Sequence, residues 1–87
     1  MLRIWHQDEL NRVTLKLEGS LAGIWVTELE GICRYAASQM EGRTLYLVMG
    51  DVERVDRAGA YLLALLHNRG VRLVASGTAM TELVRNI

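Results

Sequence analysis

Apolar and polar residues alternate through residues 12–18, where Val13, Leu15 and Leu17 sit between Arg12, Thr14, Lys16 and Glu18. A period of two marks a strand with one wet face. Residues 2–6 read as a shorter first strand on an edge, set off by a polar turn at Asp8, Glu9 and Asn11. Gly19 and Ser20 break the second strand, and the period then lengthens. Trp25, Leu29, Ile32, Ala36 and Met40 recur at three- and four-residue spacing, with Glu28, Glu30, Arg34 and Gln39 mostly on other faces. That spacing predicts an amphipathic helix over residues 24–40. Gly31 in its middle costs about 1 kcal/mol relative to alanine, and it points to a close approach by a neighbouring element. Residues 41–43 supply the stop, with Gly42 as a left-handed cap.

Residues 44–49 are almost unbroken in their apolar character, which predicts a central strand covered on both sides. Gly50 and Asp51 interrupt it, residues 52–55 extend it briefly, and a second helix opens at Asp56. Tyr61, Leu62, Leu63, Leu65 and Leu66 make that helix apolar nearly all round. Such a helix is deeply buried or keeps a face for a partner. His67, Asn68 and Arg69 occupy its last turn and Gly70 ends it. Residues 71–75 read as another strand, and Thr78 as the cap of a final helix over residues 79–87. The order is β-β-α-β-α-β-α. It predicts a small α/β domain over residues 1–87, a mixed sheet of about four to five strands packed by about three helices.

With 87 residues, a chain buries only about 60–65% of its unfolded surface, so its core must be efficient. Half of the residues are apolar and few are aromatic, so that core is aliphatic. Ten basic residues balance ten acidic ones, and nothing steers the chain as a whole toward nucleic acid or an anionic membrane. A lone Cys33 excludes an internal disulfide and fits a reducing compartment. The start lacks the apolar stretch of a signal peptide, and no run is long enough to span a bilayer. These features lead us to expect a cytoplasmic protein without an integral membrane segment.

The corner at residues 55–59 carries the most functional information. Asp56 closes a strand and opens a helix, where its carboxylate accepts hydrogen bonds from free first-turn N–H groups and suits the positive end of the dipole. Gly59 allows tight packing of helix on sheet. Between them stand Arg57 and Ala58, which offer no hydroxyl and no nucleophile. A cation in the first turn opposes the dipole by a few tenths of a kcal/mol unless something compensates. Arg57 either pairs with Glu53 in solvent or joins Arg54 in gripping a partner's carboxylate or another anion.

The element order and this corner resemble the STAS domain family, named for sulphate transporters and anti-sigma-factor antagonists. Residues 15–21 look like its second strand and glycine. Residues 45–59 look like its central strand running into the Asp-Ser-Ser/Thr-Gly switch loop, and residues 70–74 look like the glycine and strand that follow the switch helix. Antagonists of this family are switched by phosphorylation at the second hydroxyl of the loop. Asp56 and Gly59 match that motif, whereas Arg57 and Ala58 replace its two hydroxyl positions, and Ala58 cannot accept a phosphate. Met49, Gly50 and Asp51 differ from the family's Asp-Leu-Ser strand ending, with Asp51 a partial substitute. Ala22 stands where many members carry an aspartate, and the final helix is short for the family.

No acid–base–nucleophile constellation, phosphate loop or metal-ligand spacing occurs in the sequence, so neither an enzyme nor a cofactor is expected. Cys33 reads as a small core residue, and Trp25 as a core or rim residue. The resemblance implies a bacterial regulatory interaction module whose partner surface is Arg54, Asp56, Arg57, Ala58, Gly59, Tyr61 and Leu62. The partner would be a kinase-like anti-sigma factor. Two alternatives remain open: an accessory subunit meeting the ATPase of an ABC-type lipid transporter, and a small-ligand or nucleotide-binding regulator using helix N-terminal amides.

Overall fold

A computed structural model describes residues 1–75. Its elements are β1 (Leu2–Asp8), β2 (Arg12–Leu21), α1 (Ile24–Ser38), β3 (Thr44–Val55), α2 (Arg57–Asn68) and β4 (Arg72–Val74). The helix expected over residues 79–87 lies outside the described residues.

The four strands form one sheet in the order β1-β2-β3-β4. β1 and β2 are antiparallel, while β2, β3 and β4 run parallel. Each parallel step is a β-α-β crossover to the adjacent strand, and both step in the same direction across the sheet. Right-handed crossovers therefore put α1 and α2 on one face, where they touch each other as well as the strands. Leu15, Leu17 and Leu21 of β2, Leu47 and Met49 of β3, Leu29 of α1 and Leu63 of α2 meet there with no solvent exposure. The aliphatic core expected from composition is the one found.

The opposite face differs from expectation. Among the described residues no element covers it, so β3 is buried on one side, and Tyr46 and Val48 are half-buried. The near-continuous apolar run hides an alternation because Tyr46 and Val48 are themselves apolar. Arg12 stacks over the Tyr46 ring at 5.0 Å, and Lys16 lies 5.8 Å from the Trp5 ring. Long cationic stems thus shield the open face without closing it.

The interruption at Gly50 and Asp51 is no break. β3 runs straight through it, and the register with β2 shifts between Lys16 and Glu18 and again between Gly19 and Ser20. These irregularities give β3 two extra residues. The burial phase passes accordingly from Leu45, Leu47 and Met49 to Val52. A bulge does this by bending the strand and re-aiming its side chains, and here it aims the end of β3 at the corner.

The helix ends differ in how they are closed. α1 stops at Ser38, two residues before expectation, and Gly42 (φ 84°) is left-handed within the following turn rather than at the cap. Arg43 secures this end. Its guanidinium donates to the carbonyls of Gln39 (2.6 Å), Met40 (2.9 Å) and Glu9 (3.0 Å) and to the Asp8 carboxylate. α2 closes on Gly70 (φ 93°), where Gly70 N–H donates to His67 O and Val71 N–H to Leu66 O, each at 3.0 Å. That pair of bonds is a Schellman motif, with Val71 and Leu66 both buried beside it.

Candidate functional site

The Asp56 corner is built from two helix starts, not one. Asp56 is the N-cap of α2, and its Oδ1 accepts from Gly59 N–H at 2.8 Å. Its Oδ2 accepts from Gly23 N–H at 2.9 Å. Gly23 is the N-cap residue of α1, which has no side-chain cap of its own. One carboxylate therefore serves the positive ends of both helices. The Asp56 backbone N–H adds a bond to Leu21 O at 3.1 Å, tying the corner to the end of β2.

These contacts hold the Asp56 carboxyl below its ordinary pKa of 3.8. The Gly23 N–H is the largest cause and the Gly59 N–H the next; partial desolvation opposes them, and the nearby Arg54 charge adds a smaller lowering. Hydrogen bonds to the charged form favour it.

Gly59 is required by packing. A Cβ at this position would stand 2.6 Å from Leu21 O and 3.0 Å from side-chain atoms of Leu21 and Val55. The expectation of tight helix-on-sheet contact holds here. At Gly31 it fails: a Cβ there meets nothing within 4 Å, so no neighbour in the described structure accounts for that glycine.

Of the seven residues assigned to a partner surface, the structure brings Arg54, Asp56, Arg57, Ala58 and Tyr61 to the outside of the corner. Arg54, Arg57 and Ala58 are exposed, Asp56 is half-buried, and Tyr61 is 69% exposed. Gly59 and Leu62 are corrected: both are buried, and Leu62 belongs to the core. The reason is helical geometry, since α2 turns Leu62, Leu63 and Leu66 toward the sheet and leaves Tyr61 outside. Among the described residues Arg57 has no ion pair, with Glu53 or otherwise. Asp51 does not reach the corner. It pairs with Lys16 at 3.5 Å across β2 and β3.

Gly23 and Ile24 were missed by sequence reasoning. Ile24 opens α1 beside the corner and is 74% exposed. A signal was present in the sequence: α1 begins without Ser, Thr, Asp or Asn at its cap, so its first-turn donors needed an acceptor from elsewhere. The corner thus presents an acidic centre, two exposed arginines and two exposed apolar side chains, Ile24 and Tyr61. Cys33 takes no part. It is buried in α1, and burial, with a smaller contribution from Glu30, pushes its thiol pKa up to about 12. Among the described residues no three His, Cys, Asp or Glu side chains gather in one place, and no helix is long and apolar enough to cross a membrane.

No family model matches the chain, and neither does any curated protein sequence. Solved structures do match in shape. An uncharacterised DUF3478-family protein with a SpoIIAA-like fold from Shewanella loihica PV-4 superposes with a TM-score of 0.63, at 11% identity, covering 98% of this chain and 75% of that one. A structure of Mglu superposes with a TM-score of 0.61 at 24% identity over 85% of this chain. Another, of Mglu in its native form, gives 0.63 at 21% identity over 83%. The chain spans only 19% and 23% of these two Mglu chains. The fold is SpoIIAA-like, which is the STAS-like architecture that the sequence resembles.

Proposed function

We propose that this chain is a non-catalytic regulatory interaction module that docks through the Asp56 corner onto a kinase-like anti-sigma factor, without control by phosphate. The observation that carries the reading is the corner itself. Asp56 holds two helix starts side by side through Gly23 and Gly59, and this rigid platform exposes Arg57, Ala58, Tyr61 and Ile24 to a partner. At the positions where antagonists carry hydroxyls, the side chains are a cation and a methyl. Arg57, lacking an intramolecular carboxylate among the described residues, suits an acidic patch on the partner. Cytoplasmic localisation follows from the same proposal.

The test is a pull-down with the purified chain from its native host, beside the Arg57→Glu variant. The reading predicts recovery of an anti-sigma regulator and at least a tenfold lower yield with Arg57→Glu. Incubation with that kinase and ATP leaves the chain unlabelled. Recovery of an ABC-type ATPase would replace this reading with that of a transporter accessory subunit, and undiminished recovery with Arg57→Glu would remove the arginine from the interface.

A further inference from the structure

A second surface lies away from the corner, between β1 and α1. Three observations meet there. First, β1 is an edge strand, and it is long for one. All seven residues pair with β2 in unbroken register, from Leu2 opposite Gly19 to Asp8 opposite Val13. Its outer edge is unpaired among the described residues. Edge strands are ordinarily guarded by brevity, proline, lysine or a bulge. The edge at β4 is only three residues long, whereas β1 has neither brevity, proline nor a bulge, and its charges are confined to Arg3 and Asp8 near its two ends.

Second, a groove follows this edge. Ile4 and His6 of β1 form one wall, Gly31, Ile32 and Tyr35 of α1 the other, and the volume is about 490 Å³. It continues past His6 and Tyr35 to Asp8 and Glu41 in a further hollow of about 350 Å³. Third, Gly31 lies on the groove wall, is exposed, and has no packing neighbour. A glycine inside a helix costs roughly 1 kcal/mol relative to alanine, and nothing within the described residues accounts for that cost. Side chains of a chain laid along the β1 edge, entering the groove against α1, would account for it.

The charge of the groove narrows the occupant. Glu28 stands at one end and Glu41 at the other, and neither has an ion pair among the described residues. Among the described residues that line the two hollows the one cation is Arg43, which is held by Asp8 and three carbonyls. We propose that the β1 edge and the Gly31 groove accept an extended peptide segment of a partner protein, apolar in its middle and basic at both ends, which adds a fifth strand to the sheet. Backbone pairing to β1 supplies the binding, and alternate side chains enter the groove above Gly31 and beside Tyr35. Glu28 and Glu41 meet the basic ends.

The probe is a fluorescein-labelled heptapeptide of alternating valine and threonine with a lysine at each end, read by anisotropy at low salt. It binds saturably, and the bound state slows hydrogen exchange at the outward amides of β1. Gly31→Ala separates binding from folding, because it raises the thermal midpoint while weakening the peptide at least tenfold. The same peptide with glutamate ends binds at least fivefold more weakly. The proposal is overturned by absence of saturable binding, by affinity unchanged in Gly31→Ala, by a lowered thermal midpoint in that variant, or by unprotected β1 amides in the saturated complex. Equal affinity for the glutamate-ended peptide overturns the assignment of basic ends.

Discussion

The two helices begin at the same corner, yet they are secured by opposite means. α2 carries its own terminators: Asp56 caps its start and the Gly70 motif closes its end. α1 carries neither. Its start borrows Asp56 from the chain 33 residues ahead, its middle holds an unpacked Gly31, and its end is closed by Arg43, which reaches back from the following turn and is itself held by Asp8 and the Glu9 carbonyl. Local sequence therefore defines both ends of α2, while α1 has a locally defined body whose ends are fixed by tertiary contacts. Asp56, bonded to the Gly23 and Gly59 amides, is the joint between the two helices.

The largest break in this comparison comes from Gly59→Val. Its side chain has no room between α2 and Leu21 O, which lies 2.6 Å from the added Cβ. Overpacking of this kind costs about 1–3 kcal/mol or more; chemical denaturation should show it, together with displacement of α2. Asp56→Ala comes next. Thermal unfolding should shift downward, and hydrogen exchange should accelerate in the first turns of both helices, because both lose an acceptor. Acidification imitates this variant. The folded-state pKa of Asp56 lies below its ordinary value of 3.8, so its stabilising contribution is full above that pH and disappears as pH falls through the lower folded value. Denaturation curves from pH 5 to pH 2 should therefore fall less steeply for Asp56→Asn than for the parent chain.

Two smaller changes sharpen the comparison by improving a helix. Gly31→Ala should raise stability by up to about 1 kcal/mol, since alanine is the better helix former and the added methyl meets no neighbour. Arg57→Ala should raise it by a few tenths of a kcal/mol by removing a first-turn cation. The first gain belongs to α1 and the second to α2. A double variant should show their sum within about 0.5 kcal/mol if the helices are independent at these positions.

The elements that could be read from the sequence are those whose determinants are local. The alternation at Val13, Leu15 and Leu17 placed β2, the three- and four-residue spacing around Leu29 placed α1, and Asp56 with Gly70 bracketed α2. The β3 extension is legible in the sequence, but its continuity is not, because a bulge at Met49 and Gly50 looks like a break when the partner strand is unknown. The expected burial of β3 on both sides fails for a related reason: Tyr46 and Val48 are apolar whether or not anything covers them. At the site, the Asp56–Gly59 geometry was foreseen from the motif. The bond from Gly23 was not, since it joins residues far apart in sequence, and the placing of Leu62 in the core depended on how α2 is rotated against the sheet.

The central claim is that one carboxylate holds both helix starts, and NMR titration of the Gly23 and Gly59 amides tests it most directly. Their chemical shifts should move together as pH falls, with one shared midpoint below 3.8, and both should lose the transition in Asp56→Asn. Separate midpoints, or a Gly23 amide that ignores the titration of Asp56, would contradict the account.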